Sequence, residues 1–366
     1  MSPALHPLTF GIMPWNEQST NPYQRLMAQG FEKVGVQIDK IPYFPFEPLS
    51  KTLRITSADV ILLDWVHSFY TSPSLIPTVV KTLAGIRDRH KIRHRQVPII
   101  WNIHNLHRHD NRHQLLEQWS FRQLARAVDG IRIFNQCSTS VVQEYLALPA
   151  STPIRHIPHG NYSEILGRDP NLDLNQKLGI ESEDWTLLIL GEIREGKGVV
   201  PFVKTFCTYN QNNPGLKLVV AGKPQNSTLA RDLMETAATY SSLRLHLQYV
   251  PDCQLLNFLD LARFVVLPYE NILNSGMAAL AFSAGKPVIA SELFVGHFPE
   301  NIVLTGNLHD VQSLGLLIER ARQLDEKETR KKVLEFAKTL EWSVIAEQIR
   351  LFGEELLMRY PTKKQV

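Results

Sequence analysis

The chain has 366 residues, of which 44% are hydrophobic and 20% charged, and its formal net charge is +3. This near-neutral balance, without an aromatic-interleaved basic module, argues against a nucleic-acid-binding protein. The three cysteines, Cys137, Cys207 and Cys253, have no metal or redox spacing, and we find no signal peptide and no apolar run long enough to span a membrane. A cytoplasmic protein with more than one core is therefore expected.

Charge is distributed unevenly along the chain. Residues 1–165 hold 17 lysines and arginines against 12 acidic residues, whereas the remainder holds 22 against 24. Ten of the thirteen histidines also lie in the first part. This asymmetry predicts two domains with different roles.

Short apolar runs alternate with helical patterns in both halves. They predict strands at residues 8–13, 60–63, 98–102, 130–134 and 155–157, and again at 186–190, 217–221, 243–247, 264–267, 287–290 and 302–304. Helical patterns include residues 22–35, 115–128, 199–209, 227–240, 253–261 and a long helical end from residue 325 to 360. The alternation predicts an α/β protein with two doubly wound, Rossmann-like domains, at residues 1–165 and 166–341.

The most polar strand end of the first half follows residues 98–102. His104, His107, His109 and Asp110 come in quick succession there, where ligands bind in open α/β sheets. Histidine exchanges protons near neutral pH, and a carboxylate holds its tautomer, so His104, His109 and Asp110 are candidates for proton transfer. A plain loop stays an alternative. A metal site is a weaker one, because the spacing is not a structural zinc pattern and no cysteine is near.

A glycine-rich turn with two cations follows the strand at 186–190. Arg194 and Lys197 lie between Gly191 and Gly198, and Lys223 follows the next strand. These cations suit a diphosphate whose charge grows as it leaves. The segment has neither the Walker A order nor G-x-G-x-x-G, which argues against nucleotide hydrolysis of that type and against a nicotinamide cofactor. Ordinary surface charge is the alternative.

Residues 264–291 form a strand, a polar loop and a helix of small residues. Asn274 and Ser275 are suited to cap this helix, which is predicted to begin at Gly276. A helix N-terminus at the carboxyl end of a parallel strand is a phosphate site, so Glu270, Asn274, Ser275, Gly276 and Met277 are candidate donor-binding residues. A tightly packed helix without a ligand is the alternative.

Residues 81–95 carry six cations against one carboxylate, with interspersed aliphatic residues. Such a segment suits peripheral contact with an anionic membrane. A solvated charged face is the alternative.

Several short motifs occur in the order seen in one family. They are Asn21-Pro-Tyr23, Trp101-x-x-His104, His159-Gly-x-Tyr162, Gly191-x-Ile-Arg194-x-x-Lys197-Gly, Pro268-Tyr with Ser275-Gly, and Ala281-x-x-x-Gly285-Lys-Pro. Together they make the chain resemble sugar-nucleotide glycosyltransferases of the GT-B architecture, in particular the bacterial exopolysaccharide group.

This resemblance implies a hexosyltransferase with an interdomain cleft. The second domain would bind a UDP- or GDP-sugar, with Arg194 and Lys197 at the diphosphate and Ser275 and Gly276 at the helix start. The first domain would bind a glycan or lipid-linked acceptor, with His104 at the polar strand end, and a final helix at residues 342–360 would pack back on it. Such enzymes generally need neither a metal nor a cofactor.

The chain also departs from the family pattern. Many retaining relatives carry two glutamates across the small-residue helix, but Ala278 or Leu280 stands at the second position here, so the usual ribose contact is absent or replaced. Residues 10–15 lack the usual glycine-rich loop after the first strand. Retention or inversion is left open, and the rival functions are a non-catalytic GT-B scaffold and a GT-B epimerase or phosphorylase.

Overall fold

The computed structural model describes residues 7–106, 113–211, 213 and 215–360. The chain divides into two compact units. The first comprises the residues up to Gly160 together with those from Glu341 onward, and the second is Asn161–Leu340. We refer to them as the first and second domains.

The first domain is built on a six-stranded parallel sheet in the order β2-β1-β3-β4-β5-β6. Most of its strands are buried apolar runs, because helices cover both faces of a parallel sheet. Its elements are β1 (Thr9–Met13), α1 (Tyr23–Lys33), β2 (Gln37–Lys40), α2 (Pro48–Ile55), β3 (Val60–Leu63), α3 (His67–Tyr70), α4 (Leu75–Lys91), β4 (Ile99–Asn102), α5 (Gln114–Ala125), β5 (Gly130–Ile133), α6 (Thr139–Leu146), β6 (Ile154–His156) and α14 (Trp342–Leu357).

The last helix, α14, packs onto the first domain through glycines. A Cβ on Gly30 of α1 would lie 2.4 Å from the backbone oxygen of Trp342. A Cβ on Gly353 would lie 2.5 Å from the ring of Phe10 in β1. Because no side chain stands between them, the two helices and the sheet approach closely, and α14 completes the hydrophobic core of this domain.

The second domain contains another six-stranded parallel sheet, in the order β12-β11-β10-β7-β8-β9. Its elements are α7 (Leu174–Leu178), β7 (Trp185–Leu190), α8 (Val199–Asn210), β8 (Leu216–Ala221), α9 (Ser227–Thr239), β9 (Leu243–His246), α10 (Leu255–Leu261), β10 (Phe264–Leu267), α11 (Gly276–Ser283), β11 (Val288–Ser291), β12 (Val303–Gly306), α12 (Val311–Gln323) and α13 (Glu326–Thr339). Phe202 and Phe206 of α8 and Ile318 of α12 are fully buried in its core.

The predicted fold class of two doubly wound α/β domains is confirmed, and the structure has a strand at every predicted position. Sequence analysis missed one strand, β2. Its residues Gln37–Lys40 are polar and partly exposed at the sheet edge, so they lack the apolar run used to find the others.

In both sheets the connections reverse direction beside a central strand. In the first domain β1 lies between β2 and β3, and in the second β7 lies between β10 and β8. Loops leaving the carboxyl ends of the two strands at such a reversal diverge and leave a crevice, which is where ligands bind in open α/β sheets. The candidate functional residues follow strands at these two edges.

Candidate functional site

Three loops meet at the carboxyl edge of the second sheet, and glycines allow them to approach. Gly191 directly follows β7 with φ +104°, and Gly198 directly precedes α8 with φ +60°. A Cβ on Gly198 would lie 2.0 Å from the backbone oxygen of Pro268 after β10, and one on Gly222 after β8 would lie 1.8 Å from the Gly191 oxygen. Only glycine, which has no Cβ, fits such contacts. Glycines at these positions therefore let the β7–α8 loop pack against both neighbouring loops.

Arg194 and Lys197 lie in this β7–α8 loop. The Arg194 Nε is 3.5 Å from Glu192 Oε2, and the Arg194 side chain is 20% exposed. The Lys197 ammonium lies 5.7 Å from the centroid of the Tyr269 ring, and the described residues offer it no carboxylate within ion-pair distance. The pKa of Lys197 is lowered to about 8, mainly by burial; the nearby Arg194 charge acts in the same direction and Glu192 opposes both. An anion between the two cations would relieve this cost.

The N-terminus of α11 lies beside the same loop. Ser275 is buried and its side chain accepts a hydrogen bond from the Ala278 amide (3.2 Å), which makes it the N-cap. The amides of Gly276 and Met277 have no acceptor among the described residues. The Met277 methyl group would lie 2.9 Å from a Cβ on Gly191, so the helix start adjoins the glycine loop. Free amides and the helix dipole favour an anion here.

The other donor-site candidates lie at the same edge with more exposed side chains. The Glu270 amide donates to the Gly196 oxygen (3.0 Å), but its carboxylate is exposed. Lys223 is exposed, and its backbone oxygen accepts from Ile193 (3.1 Å). Asn274 is half-buried just before the cap. The structure thus brings Arg194 and Lys197 together with the start of α11.

The small-residue helix carries no carboxylate in its first turns. Ala278 is fully buried and Leu280 is 6% exposed. Neither side chain can hydrogen-bond a ribose hydroxyl, so the first turn of α11 offers an anion only its backbone amides and its cap. This agrees with the departure from the family pattern noted in the sequence.

At the carboxyl edge of the first sheet, His104 pairs with a carboxylate that sequence analysis missed. His104 Nε2 lies 2.7 Å from Oδ1 of Asp64, which directly follows β3 and is fully buried. Asp64 also accepts hydrogen bonds from the side-chain amides of Asn102 (3.0 Å) and Gln24 (3.2 Å). A carboxylate held by two amides is an acceptor for Nε2–H, and this tautomer leaves His104 Nδ1 free to take a proton.

Aromatic rings fix the His104 imidazole. It stacks on Trp65 with ring centroids 4.6 Å apart and contacts the edges of Tyr23 (4.8 Å) and Phe134 (4.9 Å). Trp65 itself has φ +41°, an uncommon backbone conformation for a bulky residue. His104 is 8% exposed, so little of the residue is accessible to a ligand.

A buried arginine, also missed from the sequence, supports these rings. Arg132 in β5 is fully buried and donates to the backbone oxygens of Ile157 (3.1 Å) and Pro158 (2.7 Å) and to the Tyr23 hydroxyl (3.0 Å). Its guanidinium also lies 4.7 Å from the centroid of the Phe134 ring. Arg132 therefore connects α1, β5 and the segment after β6.

His159, from the His-Gly motif, is packed rather than solvated. Its ring contacts Tyr23 (5.1 Å) and Trp342 (5.8 Å), and its Nδ1 lies 2.7 Å from the Gly160 oxygen. Burial lowers the pKa of His159 to about 3, with the neighbouring His104 and Arg132 acting in the same direction. It is neutral at physiological pH and serves the packing around Tyr23.

The other predicted proton-transfer residues, His109 and Asp110, lie outside the described residues. Within the described ranges, no group of three or more His, Cys, Asp or Glu side chains is placed to hold a metal ion. In the same part of the chain, no helix is long and apolar enough to cross a membrane.

Residues 171–337, which carry the glycine loop and α11, match the family model of glycosyl transferases group 1. The matched residues lie within the second domain. The GDP-mannose:glycolipid 4-beta-D-mannosyltransferase of Xanthomonas campestris pv. campestris is 28% identical over 238 residues, which make up 63% of this chain and 61% of the relative. The chain thus spans about six tenths of the length of that curated relative.

Solved structures cover nearly the whole chain. Sucrose-phosphate synthase from Thermosynechococcus elongatus has a TM-score of 0.69 at 15% identity and covers 97% of this chain and 100% of its own. An alpha,alpha-trehalose-phosphate synthase (UDP-forming) from Burkholderia vietnamiensis has a TM-score of 0.69 at 12% identity, covering 96% and 98%. At these identities the likeness concerns the fold alone, and it confirms the predicted GT-B architecture.

Proposed function

We propose that the chain transfers a hexose from a UDP- or GDP-sugar to a hydroxyl group of a glycan or lipid-linked acceptor. The observation that carries this proposal is the pairing of Arg194 and Lys197 with the start of α11 at one end of the second sheet. The two cations have only one nearby carboxylate between them, Glu192. They lie beside free helix amides, and this arrangement suits a diphosphate.

In the proposed reaction the bond between the sugar C1 and the diphosphate oxygen breaks, and the electron pair leaves with the diphosphate. Arg194, Lys197 and the amides of Gly276 and Met277 stabilise the negative charge that develops on it. This electrostatic contribution needs no metal ion. In this proposal the exposed Glu270 and Lys223 contact the rest of the donor.

The acceptor hydroxyl must lose its proton as its oxygen bonds to C1. We propose His104 as the base in an inverting reaction, with Nδ1 taking the proton while Nε2–H stays on Asp64. Asp64 acts through His104 and is a positioning residue. The Xanthomonas relative supports this choice, since its name specifies a β-linked mannose, and inversion forms a β linkage from an α-linked nucleotide sugar.

The relatives also support the substrate classes. The Xanthomonas protein is named for GDP-mannose and a glycolipid, and the Burkholderia synthase is named as UDP-forming. For this chain both nucleotides remain in the proposal. A lipid-linked acceptor is favoured over a soluble glycan, and with it a peripheral position at an anionic membrane, through the segment 81–95.

Calorimetric titration with GDP and UDP, followed by transfer assays with GDP-mannose and UDP-glucose on extracted glycolipids, tests the proposal. The double variant Arg194→Ala with Lys197→Ala should lose nucleotide binding and at least about a thousandfold in transfer, because two charge-assisted contacts to the leaving group are removed. Lys204→Ala is the matched control, since it removes an exposed cation from α8.

The outcomes separate the candidate functions. Binding of a nucleotide with neither transfer nor donor hydrolysis indicates a non-catalytic GT-B protein. Transfer that survives the double variant contradicts the diphosphate site. Equal losses in the double variant and in Lys204→Ala contradict it as well.

A further inference from the structure

Helix α4 in the first domain has its faces reversed. Its buried residues are Thr78, Thr82, Gly85 and Asp88, whereas its large aliphatic residues point to solvent. Leu75, Ile76, Val79, Val80 and Leu83 are all exposed, with Ile76 at 78% and Leu83 at 60%. These five residues, which we call the α4 face, recur at the spacing that places them on one side of a helix.

The buried side of α4 is polar but fully satisfied. Asp88 accepts hydrogen bonds from the backbone amides of Leu49 (2.8 Å) and Ser50 (2.9 Å) at the start of α2. Thr78 donates to the Ser74 oxygen (2.8 Å), and a Cβ on Gly85 would lie 2.4 Å from the Tyr70 ring. The inward face is thus a specific packing surface, and the aliphatic side chains face outward because the polar ones are held inside.

The α4 face continues onto neighbouring elements. Phe46, which is 50% exposed, lines one small cavity with Leu83 and Arg87. On the other side of the helix Trp119 of α5, which is 41% exposed, lines a cavity with Ile86. An apolar surface of this extent, bordered by aromatic rings, is unusual for a protein that meets only water.

The charges beside the α4 face are mainly cationic. The carboxylate that lines the same cavity as Phe46 and Leu83, Glu47, is paired with Lys91 and Arg54. Four of the six cations in residues 81–95 are held locally, with Lys81 on the Ser68 oxygen, Arg89 on Gln123, Lys91 on Glu47 and Arg95 on Asp129. Arg87 and Arg93 are exposed and have no ionic partner among the described residues. Asp88, the one carboxylate of the segment, is buried. Along the chain, the solvent-facing side of this segment therefore presents the aliphatic residues 75–83 and then the cations Arg87 and Arg93.

We propose that the α4 face inserts into the surface of a membrane that contains anionic lipids. The aliphatic side chains enter the acyl boundary, Trp119 lies at the interface, and Arg87 and Arg93 contact lipid phosphates. A second copy of the chain fits less well, because a twofold interface pairs a patch with itself and brings like charges together. The contact depends mainly on the apolar residues 75–83, with the basic run in a supporting role.

Co-sedimentation of the full chain with vesicles measures this contact. The vesicles contain phosphatidylglycerol and phosphatidylcholine in equal parts, or phosphatidylcholine alone. Ile76→Asp and Leu83→Asp should each weaken partitioning into the anionic vesicles at least about tenfold. Leu316→Asp is the matched control and should change it less than about twofold, because Leu316 is an equally exposed leucine (64%) on α12 of the second domain. Arg87→Ala with Arg93→Ala should reduce the preference for phosphatidylglycerol and its sensitivity to salt.

Two results overturn the inference. One is unchanged partitioning of Ile76→Asp and Leu83→Asp. The other is a dimer of the wild-type chain, seen by light scattering, that these variants convert to a monomer, since a second copy then covers the face.

The membrane contact itself is independent of the proposed function. Only its role, access to a lipid-linked acceptor, rests on that function. Both aspartate variants should keep nucleotide binding and donor hydrolysis while losing transfer to acceptors embedded in vesicles. If the wild-type chain partitions but transfers nothing, the transferase proposal fails and the docking surface stands. If it transfers equally well to embedded and detergent-dispersed acceptors without partitioning, the docking surface fails and the transferase proposal stands.

Discussion

Lys197 should make nucleotide binding depend on pH in the mildly alkaline range. Burial beside Arg194 lowers its pKa to about 8, so the free protein loses this charge well below the pH at which an exposed lysine does. A bound diphosphate favours the charged form and raises the pKa again. The last phosphate proton of the nucleotide leaves near pH 6, so the charge of its diphosphate is nearly constant in the mildly alkaline range.

The size of the effect follows from the charged fraction of Lys197. With a pKa of about 8, about nine tenths of the molecules carry the charge at pH 7 and about one tenth at pH 9. If the bound pKa lies above this range, the dissociation constant for GDP or UDP should rise about tenfold between pH 7 and pH 9, which is about 1.4 kcal/mol. At pH 8 binding should take up about half a proton per nucleotide.

Isothermal titration calorimetry in two buffers of different ionisation enthalpy measures both quantities. Lys197→Met should bind more weakly at pH 7 and show little change up to pH 9, since Arg194 stays charged throughout. A wild-type affinity that is constant from pH 7 to pH 9 would refute the reasoning. So would a pH dependence that survives in Lys197→Met, because another group would then be responsible.

Three further variants test the supporting structure. Asp64→Asn should lower kcat about a hundredfold or more without changing donor binding, because His104 loses the anion that fixes its tautomer. The control Glu117→Gln, which removes another buried carboxylate paired with a histidine, should keep kcat. Equal losses of kcat in the two variants in steady-state assays would point to a folding defect instead. Gly198→Ala should lower the free energy of unfolding of the second domain by about 2 kcal/mol or more in urea, since the added Cβ meets a carbonyl oxygen at 2.0 Å. The control Gly215→Ala has the same sign of φ and open space around it, so it should lower the free energy of unfolding by only about 1 kcal/mol. Arg132→Met should cost about 3 kcal/mol, because two backbone oxygens and a phenol lose their buried donor; an unchanged unfolding midpoint would contradict that role.

The second domain was well suited to prediction from sequence. Its strands are short apolar runs, and parallel topology places all their carboxyl ends at one edge. Arg194, Lys197 and Ser275 each follow such a run, so topology alone predicts that they share an edge even though they are distant in the chain. Glycine positions such as Gly198 then follow from the close approach of the loops.

The candidate base of the first domain shows where sequence reasoning stops. His104 was found because it follows a predicted strand, and Asp110 was proposed beside it because it is near in sequence. The partner that the structure shows, Asp64, is 40 residues away and follows the neighbouring strand. The sequence signal for Asp64 was a polar residue directly after an apolar run, much as for His104. Only the pairing of β3 with β4 shows that these two residues lie together.

Helix α4 shows a different limit of sequence reasoning. The sequence drew attention to the cations on and just after this helix, because six of them lie within residues 81–95. Most of these are held by neighbours from other elements, which no local pattern reveals. A periodic pattern shows that a helix has two faces, but the packing partners decide which of them is buried.

The reversed faces of α4 separate folding from docking in a single variant. Because Ile76 is already 78% exposed in the folded chain, replacing it with aspartate removes little buried apolar area and should change the free energy of unfolding by less than about 0.5 kcal/mol. Thr82→Leu makes the opposite change, since it enlarges a buried side chain (7% exposed) that packs near Ser120, and overpacking of this kind costs about 1 to 3 kcal/mol. Urea unfolding beside vesicle partitioning should therefore show Ile76→Asp with normal stability and weak partitioning, and Thr82→Leu with low stability and normal partitioning at temperatures where it is folded. If Ile76→Asp unfolds as easily as Thr82→Leu, the aliphatic face belongs to the protein's own packing, and its exposure no longer indicates a membrane.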